Sequence, residues 1–550
     1  MSDQAERNYR WAFALLDACV AAGVSRAVIS PGSRSTPLTL AALHHPGLAV
    51  QIAIDERAAA FFALGLAKAE SKAVILIATS GSAIANWLPA VVEADMAQVP
   101  LLLLSADRPP ELQDCGANQT MEQIQLFGSH VRAFQQLPPA EDDTSWLAAF
   151  VARGLAYCVD PLPGPVHWNV PLREPLVPVS IPDLPVTAVV PQALPALRQA
   201  TAETLALLTQ IMASGAGAIV CGQERLSPDT RTALLDLSQR LRVPVFADVL
   251  SGLRSGSERD TVLHHPDLVV GKAPRPGWLL RVGGAPISRS LQDWLTQCRS
   301  VPQLVISSSP RRSDPAGVAS HVLYADLASL CQALQNLPVV ENWLVQFLGL
   351  DEQAQQLAQL ICADERPFEG SMLRTLWHEL PAGTPLFLAN SLTIRAANSF
   401  VGRSAAALQV FANRGVSGID GNIATACGMV SALGAGVAVV GDLALLHDLN
   451  ALLLARQAPL VILLLDNGGG GIFDHLPQAR LAEFEQAWLA PQVFTVTHAA
   501  KAFGLGYTAA ATVREAMAAI QQALATGQAH IVHLPIERAH SLVQFQRFQS

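Results

Sequence analysis

Short runs of apolar residues alternate with longer Ala- and Leu-rich stretches almost throughout this 550-residue chain. In the first third, RAVIS, AVQIAI, AVILIATS and VPLLLLSAD are short and nearly continuously apolar, so they read as strands buried on both faces, as in parallel sheets. ERAAAFFALGLAKA and AIANWLPAVVEADMA read as helices between them. The middle third repeats the pattern with GAIVCG, VPVFAD, WLLRVGG and QLVISSS, and the last third with PLFLAN, LQVFANRG, GVAVVGD, PLVILLLDN and HIVHLP. This alternation predicts α/β architecture with three doubly wound parallel-sheet domains, at 1–185, 195–345 and 365–550. The Pro-rich stretch from Val170 to Leu197 has too many prolines for a ladder or a helix interior and reads as an extended linker. Residues 332–370 read as a helical, Gln-rich connector.

Composition tests this picture in one respect. Hydrophobic residues make up 51% of the chain, charged residues 15%, and mean hydropathy is +0.31, so membrane spans must be considered. Two uncharged stretches, AVILIATSGSAIANWLPAVV from Ala73 and NIATACGMVSALGAGVAVVG from Asn422, are interrupted by Gly, Ser, Thr and Asn. Each reads as a strand and a helix joined by a turn, with no membrane span expected. The N-terminal MSDQAERNYRW has charges of both signs and no export pattern, so a cytoplasmic protein is expected. Cys19, Cys115, Cys158, Cys221, Cys298, Cys331, Cys362 and Cys427 form no CxxC pair and are expected to be buried thiols in a reducing compartment. A net charge of -9 argues against general nucleic-acid binding, so any anionic ligand must be held by a few placed arginines.

The candidate chemistry concentrates in GVAVVGDLALLHDLNALLLARQAPLVILLLDNGGGGIF. It reads as a strand ending at Gly441-Asp442, a helix, and a second strand ending at Asp466-Asn467. Parallel strands present their C-terminal ends at one sheet edge, where open α/β sheets bind ligands, so Asp442 and Asn467 should converge. A carboxylate, an amide oxygen and a backbone carbonyl from the glycine turn make half a shell of hard ligands, which suits magnesium completed by diphosphate and water. Four consecutive glycines are costly to order and indicate a close backbone approach. No GxxxxGK[ST] phosphate loop is present. Taken alone, Asp442 also fits a helix cap and Asn467 an ordinary turn.

GD followed about 25 residues later by Asn and glycines resembles the diphosphate-magnesium motif of thiamine diphosphate-dependent enzymes, with Leu443 where Gly is usual and Asp466 where Asn is usual. The resemblance implies domains of the thiamine diphosphate-dependent decarboxylase type: pyrimidine-binding, middle transhydrogenase-like, and diphosphate/magnesium-binding. It implies metal ligands Asp442, Asn467 and the Gly469 carbonyl, holding Mg2+ or Mn2+. Glu56, in AVQIAIDERAAAFFALGLA, matches the glutamate that hydrogen-bonds the cofactor's aminopyrimidine ring and is the implied catalytic residue. As an isolated acidic pair, Asp55 and Glu56 would be read as stabilising a helix N-terminus, and only together with the Asp442 and Asn467 element does Glu56 point to the cofactor.

Arg34 in VISPGSRSTPLTLAAL, Arg108 in LLLLSADRPPEL, Arg395 in ANSLTIRAANSF and Arg414 in FANRGVSGIDG all stand beside predicted strand ends. Guanidinium binds carboxylate bidentately, so four such positions suggest a pocket for several carboxylates. These strings, with GANQT, resemble the menaquinone-pathway branch of the thiamine diphosphate-dependent enzymes across essentially the whole chain. The resemblance implies a transferase that decarboxylates 2-oxoglutarate and adds the remaining fragment to isochorismate. It also implies cofactor contacts from Glu56, Ser391, Ile419, Asp442, Leu443, Asn467, Gly469 and Ile472. The implied substrate contacts are Arg34, Arg108, Asn118, Gln119, Arg289, Arg395, Arg414, Ile472 and Phe473. In VGGAPISRS, Arg289 matches one of two basic positions and Ser290 stands at the other. The family further implies a homo-oligomer, a dimer at minimum and a tetramer expected, with cofactor held between subunits. An acetolactate synthase-like carboligase is the nearest rival, disfavoured by the number of arginines, and a non-catalytic homologue is disfavoured by Glu56 with Asp442 and Asn467. A nicotinamide-dependent enzyme would need a GxGxxG turn after a strand.

Overall fold

The computed structural model describes residues 4–192, 196–256, 259–311, 313–492 and 494–549. Its strands form three six-stranded parallel sheets. The first contains β1 (Arg26–Ile29), β2 (Ala49–Ile52), β3 (Val74–Ala78), β4 (Leu101–Asp107), β5 (Ala133–Gln136) and β6 (Pro165–Pro171), in the order β2-β1-β3-β4-β6-β5. The second contains β7 (Gly217–Cys221), β8 (Val245–Ala247), β9 (Val262–Leu263), β10 (Trp278–Val282), β11 (Gln303–Ser307) and β12 (His321–Tyr324), in the order β12-β11-β10-β7-β8-β9. The third contains β13 (Pro385–Leu388), β14 (Gln409–Phe411), β15 (Gly436–Gly441), β16 (Leu460–Asp466), β17 (Gly506–Ala509) and β18 (His530–Pro535), in the order β14-β13-β15-β16-β18-β17. The doubly wound α/β expectation therefore holds in all three sheets.

The central strands are the ones the apolar runs announce. Every residue of β3 and β4 is buried, as is all of β16 up to Asp466. The two uncharged stretches fold as expected. Residues after Ala73 give β3, a turn and the helix Leu88–Met96, and those from Asn422 give the helix Asn422–Leu433 and then β15. Among the described residues no helix is long and apolar enough to cross a membrane.

Several sequence expectations need correction. The stretch read as a linker from Val170 begins inside β6, whose Pro165 and Pro171 stand at the strand ends, where a missing amide costs little of the ladder. Residues 193–195 of that stretch lie outside the described residues. The helix expected after Asp442 is three short pieces, Asp442–His447, a 3-10 turn Leu449–Ala451, and Leu452–Ala455. Its break coincides with buried Asp448, whose carboxylate accepts from the amides of Ile423 and Ala424 at 2.9 and 3.0 Å and so caps the neighbouring helix. Of the cysteines, Cys115 is exposed and Cys362 half-buried, and none of the eight is in a disulfide.

The chain divides into two compact units, one of Met1–Pro195 with Asn413–Gly434 and Ala444–Leu460, the other of Ala196–Ala412, Ala435–Leu443 and Val461–Ser550. Within the first, the helix Glu56–Glu70 crosses the helix Asn422–Leu433 at backbone distance. A Cβ on Gly65 would lie 2.0 Å from the Thr425 carbonyl oxygen, and one on Gly428 would lie 2.0 Å from that of Phe62. In the second unit, the middle sheet has the dinucleotide-fold strand order, with its switch point between β7 and β10. There the two turns bond to each other, Gly222 N to Val282 O at 2.9 Å and Gly284 N to Gln223 O at 2.8 Å, so backbone occupies the place where a dinucleotide phosphate would enter.

Candidate functional site

In the third sheet the strand order reverses between β13 and β15, and β16 lies beside β15, so the C-terminal ends of these strands form one edge. Ser391 follows β13 with φ +73° and ψ -132°, a conformation that costs a non-glycine residue about 1–3 kcal/mol, and it starts the helix Leu392–Phe400 without a side-chain cap. Arg395 lies one turn further and donates to the Ser391 carbonyl at 2.8 Å. Asp442 follows β15. The backbone amides of Leu443 and Gly469 lie near its half-buried carboxylate and favour its charged form, so the predicted convergence of the two strand ends is present. Burial pushes the Asp442 carboxyl up to about 6, with the neighbouring Asp466 carboxylate adding to the effect.

Asp466 is held below the usual carboxylate range, chiefly by its hydrogen bond to His533. His533 Nε2 lies 2.9 Å from Asp466 Oδ2, the His533 Nδ1 pairs with the Tyr507 hydroxyl at 3.0 Å, and Gly468 N donates to Asp466 at 3.1 Å. Two adjacent half-buried carboxylates create a local demand for positive charge. Asn467 Nδ2 donates to Glu369 Oε1 at 3.2 Å, which leaves Asn467 Oδ1 buried without a partner. Gly469 has φ +134°, and a Cβ there would lie 2.2 Å from the Leu489 carbonyl oxygen, so only glycine fits. Its own carbonyl accepts from Gly471 N at 2.9 Å. The turn Gly471–His475 carries Ile472, packed at the edge of the core, and half-buried Phe473.

The donor set therefore fits a divalent cation with an anionic co-ligand. Asp442 supplies charge, and Asn467 Oδ1 is an unused buried oxygen. Among the described residues no group of three or more His, Cys, Asp and Glu could hold a metal, so further ligands would have to come from backbone, water or a bound diphosphate. Arg289 is not part of this edge cluster. Its side chain is 84% exposed and pairs with Asp293 at 3.0 Å along its own helix.

In the other unit, Glu56 is the half-buried first residue of the helix Glu56–Glu70, which Asp55 caps by accepting from Ala58 N at 3.0 Å. A cavity of about 400 Å³ opens beside this helix start, lined by Ile52, Ile54, Asp55 and Leu453 among others. Arg34, buried after β1, donates to the Leu172 carbonyl at 2.8 Å and pairs with Glu174 at 2.7 Å. Arg108, just beyond β4, donates to Ser80 Oγ and to the Gln119 carbonyl. Burial and then the proximity of Arg34 lower the affinity of the Arg108 guanidinium for its proton, so these two cations share one edge of the first sheet. Asn118 and Gln119 are exposed beside them, and Gln119 Nε2 donates to the Ser80 carbonyl at 3.1 Å. Arg414 and the 39%-exposed Ile419 lie on the loop before the helix Asn422–Leu433. That loop is fixed by buried Glu93, which accepts from Gly415 N at 2.9 Å and Val416 N at 2.8 Å and pairs with Lys68 at 3.2 Å.

Glu369, His533, Tyr507, Glu93 and Lys68 escaped the sequence reading. A charged residue inside an apolar pattern is the available signal: Lys68 interrupts ERAAAFFALGLAKA, Glu93 interrupts AVVEADMA, and His533 interrupts HIVHLP.

Comparison with known proteins adds independent findings. Residues 10–127 match the family described as thiamine pyrophosphate enzyme, N-terminal TPP binding domain, and residues 191–388 match the middle domain of thiamine pyrophosphate enzymes. A 2-succinyl-5-enolpyruvyl-6-hydroxy-3-cyclohexene-1-carboxylate synthase from Dechloromonas aromatica (strain RCB) is 43% identical, the alignment covering 97% of this chain and 99% of the relative. A protein of the same name from Geobacillus thermodenitrificans (strain NG80-2) is 40% identical over 97% of this chain and 94% of its own length. The benzoylformate decarboxylase of Polynucleobacter necessarius shares the fold, with a TM-score of 0.69 at 15% identity, over 96% of this chain and 98% of that one.

Proposed function

The chain belongs to the 2-succinyl-5-enolpyruvyl-6-hydroxy-3-cyclohexene-1-carboxylate synthase family of thiamine pyrophosphate enzymes, and from that premise we propose how its residues serve the reaction. The reaction breaks the bond between C1 and C2 of 2-oxoglutarate, releases carbon dioxide, and joins C2 to the ring of isochorismate by 1,4-addition, in menaquinone biosynthesis. Thiamine diphosphate, bound with a divalent metal such as Mg2+ or Mn2+, supplies the electron sink that decarboxylation of a 2-oxo acid requires.

The chain's own residues bind, orient and exclude water. Asp442, Asn467 and the Gly469 carbonyl hold the metal, and Ser391 and Leu443 stand against the diphosphate. The observation that carries this reading is the buried, unpartnered Asn467 Oδ1 on the strand end next to the Asp442 carboxylate. Glu56 would lie against the aminopyrimidine ring of the cofactor, where its carboxyl could hold or give up a proton, and Ile419 would pack against the cofactor. Ile472 and Phe473 wall the reacting carbon from water, which would otherwise protonate it. Arg34, Arg108, Asn118, Gln119, Arg395 and Arg414 receive substrate carboxylates and hydroxyls. Arg289, exposed and paired with Asp293, is assigned at most a peripheral contact.

We assign the pyrimidine-binding, middle and diphosphate-binding domains to 1–185, 195–345 and 365–550. We also assign the protein to the cytoplasm, as a dimer at minimum and a tetramer in full assembly; free cysteines accord with a reducing compartment. Product analysis tests the activity. With thiamine diphosphate, Mg2+, 2-oxoglutarate and isochorismate, the named product and carbon dioxide should appear in equal amounts. Carbon dioxide from pyruvate but not from 2-oxoglutarate would favour a general 2-oxo acid carboligase instead.

A further inference from the structure

Glu369 opens the helix Glu369–Glu379 and is 2% exposed, yet no step of the reaction described above uses it. Its two carboxylate oxygens are divided: Oε1 accepts from Asn467 Nδ2 at 3.2 Å, and Oε2 accepts from the hydroxyl of buried Ser541. A carboxylate offers acceptors only, so it can face the NH2 end of an asparagine amide but repels the oxygen end. The amide of Asn467 therefore has one favoured orientation, and in that orientation its Oδ1 is buried and unpartnered. Gly471 makes the arrangement sterically feasible, since a Cβ there would lie 2.8 Å from Asn467 Nδ2.

We propose that Glu369, braced by Ser541, is a positioning residue that fixes the Asn467 amide so that its oxygen, and not its NH2, is presented to a divalent cation held with Asp442. The inference rests on the reading of Asn467 as a metal ligand. Outer partners that orient first ligands typically account for 10–100-fold in metal affinity. A glutamine at 369 could either accept from or donate to Asn467, so both amide orientations would become accessible and the ligand would be partly lost. An aspartate at 467 has oxygen at both ends and needs no orienting partner.

The test is titration of the full-length protein with Mn2+ in the presence of thiamine diphosphate, followed by electron paramagnetic resonance of the free ion. Glu369→Gln should weaken Mn2+ binding by about tenfold or more, and adding Asn467→Asp to that variant should restore affinity to within about threefold of the parent. A purely structural role for Glu369 would not be rescued at position 467. Parent-like binding by Glu369→Gln, or a double variant as weak as Glu369→Gln, overturns the proposal. Ser541→Ala keeps the carboxylate but frees it to rotate and should cost about three- to fivefold; parent-like binding there overturns the proposal even where Glu369→Gln fails to fold. Asn467→Ala separates the two layers. If it binds Mn2+ like the parent, the ligand reading fails and the positioning role with it; if it binds weakly while Glu369→Gln is parent-like, only the positioning role falls.

Discussion

Gly471→Ala isolates the last glycine of the run. Gly471 lies outside the left-handed region, so an alanine meets no backbone penalty there. Its Cβ would nevertheless lie 2.8 Å from Asn467 Nδ2, 2.9 Å from Cγ and 3.1 Å from Oδ1. Relieving these contacts requires the amide to move by roughly 0.5 Å or more, given ordinary separations of about 3.5 Å. The Asn467–Glu369 hydrogen bond is already 3.2 Å long and does not survive that shift in good geometry. Loss of a hydrogen bond to a charged group costs about 1.5–3 kcal/mol, which corresponds to roughly 10–100-fold in cation affinity if the lost order falls on the ligand atom. Calorimetric titration with Mg2+ and thiamine diphosphate measures it. Gly468→Ala is the control: Gly468 has φ +75° and open space at its Cβ, so alanine there should lower stability by about 1–2 kcal/mol and leave cation affinity within about threefold. Gly471→Ala binding the cation like the parent, in a folded protein, would refute the steric chain from this glycine to the ligand.

Two further outcomes concern the helix crossing and its capping aspartate. Gly428→Ala gains about 1 kcal/mol of helix propensity but puts a Cβ 2.0 Å from the Phe62 carbonyl oxygen; net destabilisation of about 1–3 kcal/mol is expected, read as a lowered unfolding temperature, and a stabilised variant would show that the crossing yields. Burial pushes the Asp448 carboxyl from 3.8 up to about 7, so folding takes up a proton across that interval. Its contribution to stability is complete below about pH 4 and lost as pH rises through 7, up to roughly 4 kcal/mol in all. Asp448→Asn retains an oxygen for the Ile423 and Ala424 amides and should flatten the fall in stability between about pH 4 and 7; an unchanged slope in denaturant titrations would assign that fall to other groups.

Most strands legible in the sequence are central ones buried on both faces, although the partly exposed edge strands β2 and β14 are also legible as short apolar runs. β3 and most of β4 and β16 are continuous apolar runs because sheet neighbours and helices cover them, and β10 is broken only by buried Arg281. The strands missed are mostly the edges: β5, β9, β12 and β17 each have a neighbour on one side only, and all of β12 but Leu323 is exposed. β6 is the interior exception. Its His167 and Asn169 look wrong for a buried strand, but Ser105 of β4 meets them at 2.6 and 2.7 Å, so of these two side chains only His167 Nδ1 is left without a partner inside the sheet. At the site, Asp442 and Asn467 were legible because a strand end fixes where its next residues emerge. Glu369 was not: it lies 98 residues from Asn467, and only tertiary packing joins them. Asp466, which departs from the family's usual Asn, acquires a reason of the same kind in the His533 and Tyr507 bonds.

The first and third sheets have the same strand order when each is numbered from its own first strand, 2-1-3-4-6-5. In such an order the connections leave β1 and β3, and likewise β13 and β15, toward opposite faces of the sheet, opening a crevice beyond their C-terminal ends. The first sheet puts the loop of Arg34 after β1 and the Ser80-Gly81 turn after β3, with Arg108 beyond the neighbouring β4. The third puts Ser391 after β13, Asp442 after β15, and the Asn467 glycine run after the neighbouring β16. One topology thus presents a cationic edge in one case and an oxygen-rich edge in the other, and the difference lies in the few residues immediately following three strands. The middle sheet has the other doubly wound order, and its switch point is occupied by the bonded Gly222 and Gly284 turns. Chemistry in this chain is therefore expected at the two edges that topology leaves open, and substitutions in the Gly222–Gly284 contact should change stability before they change turnover.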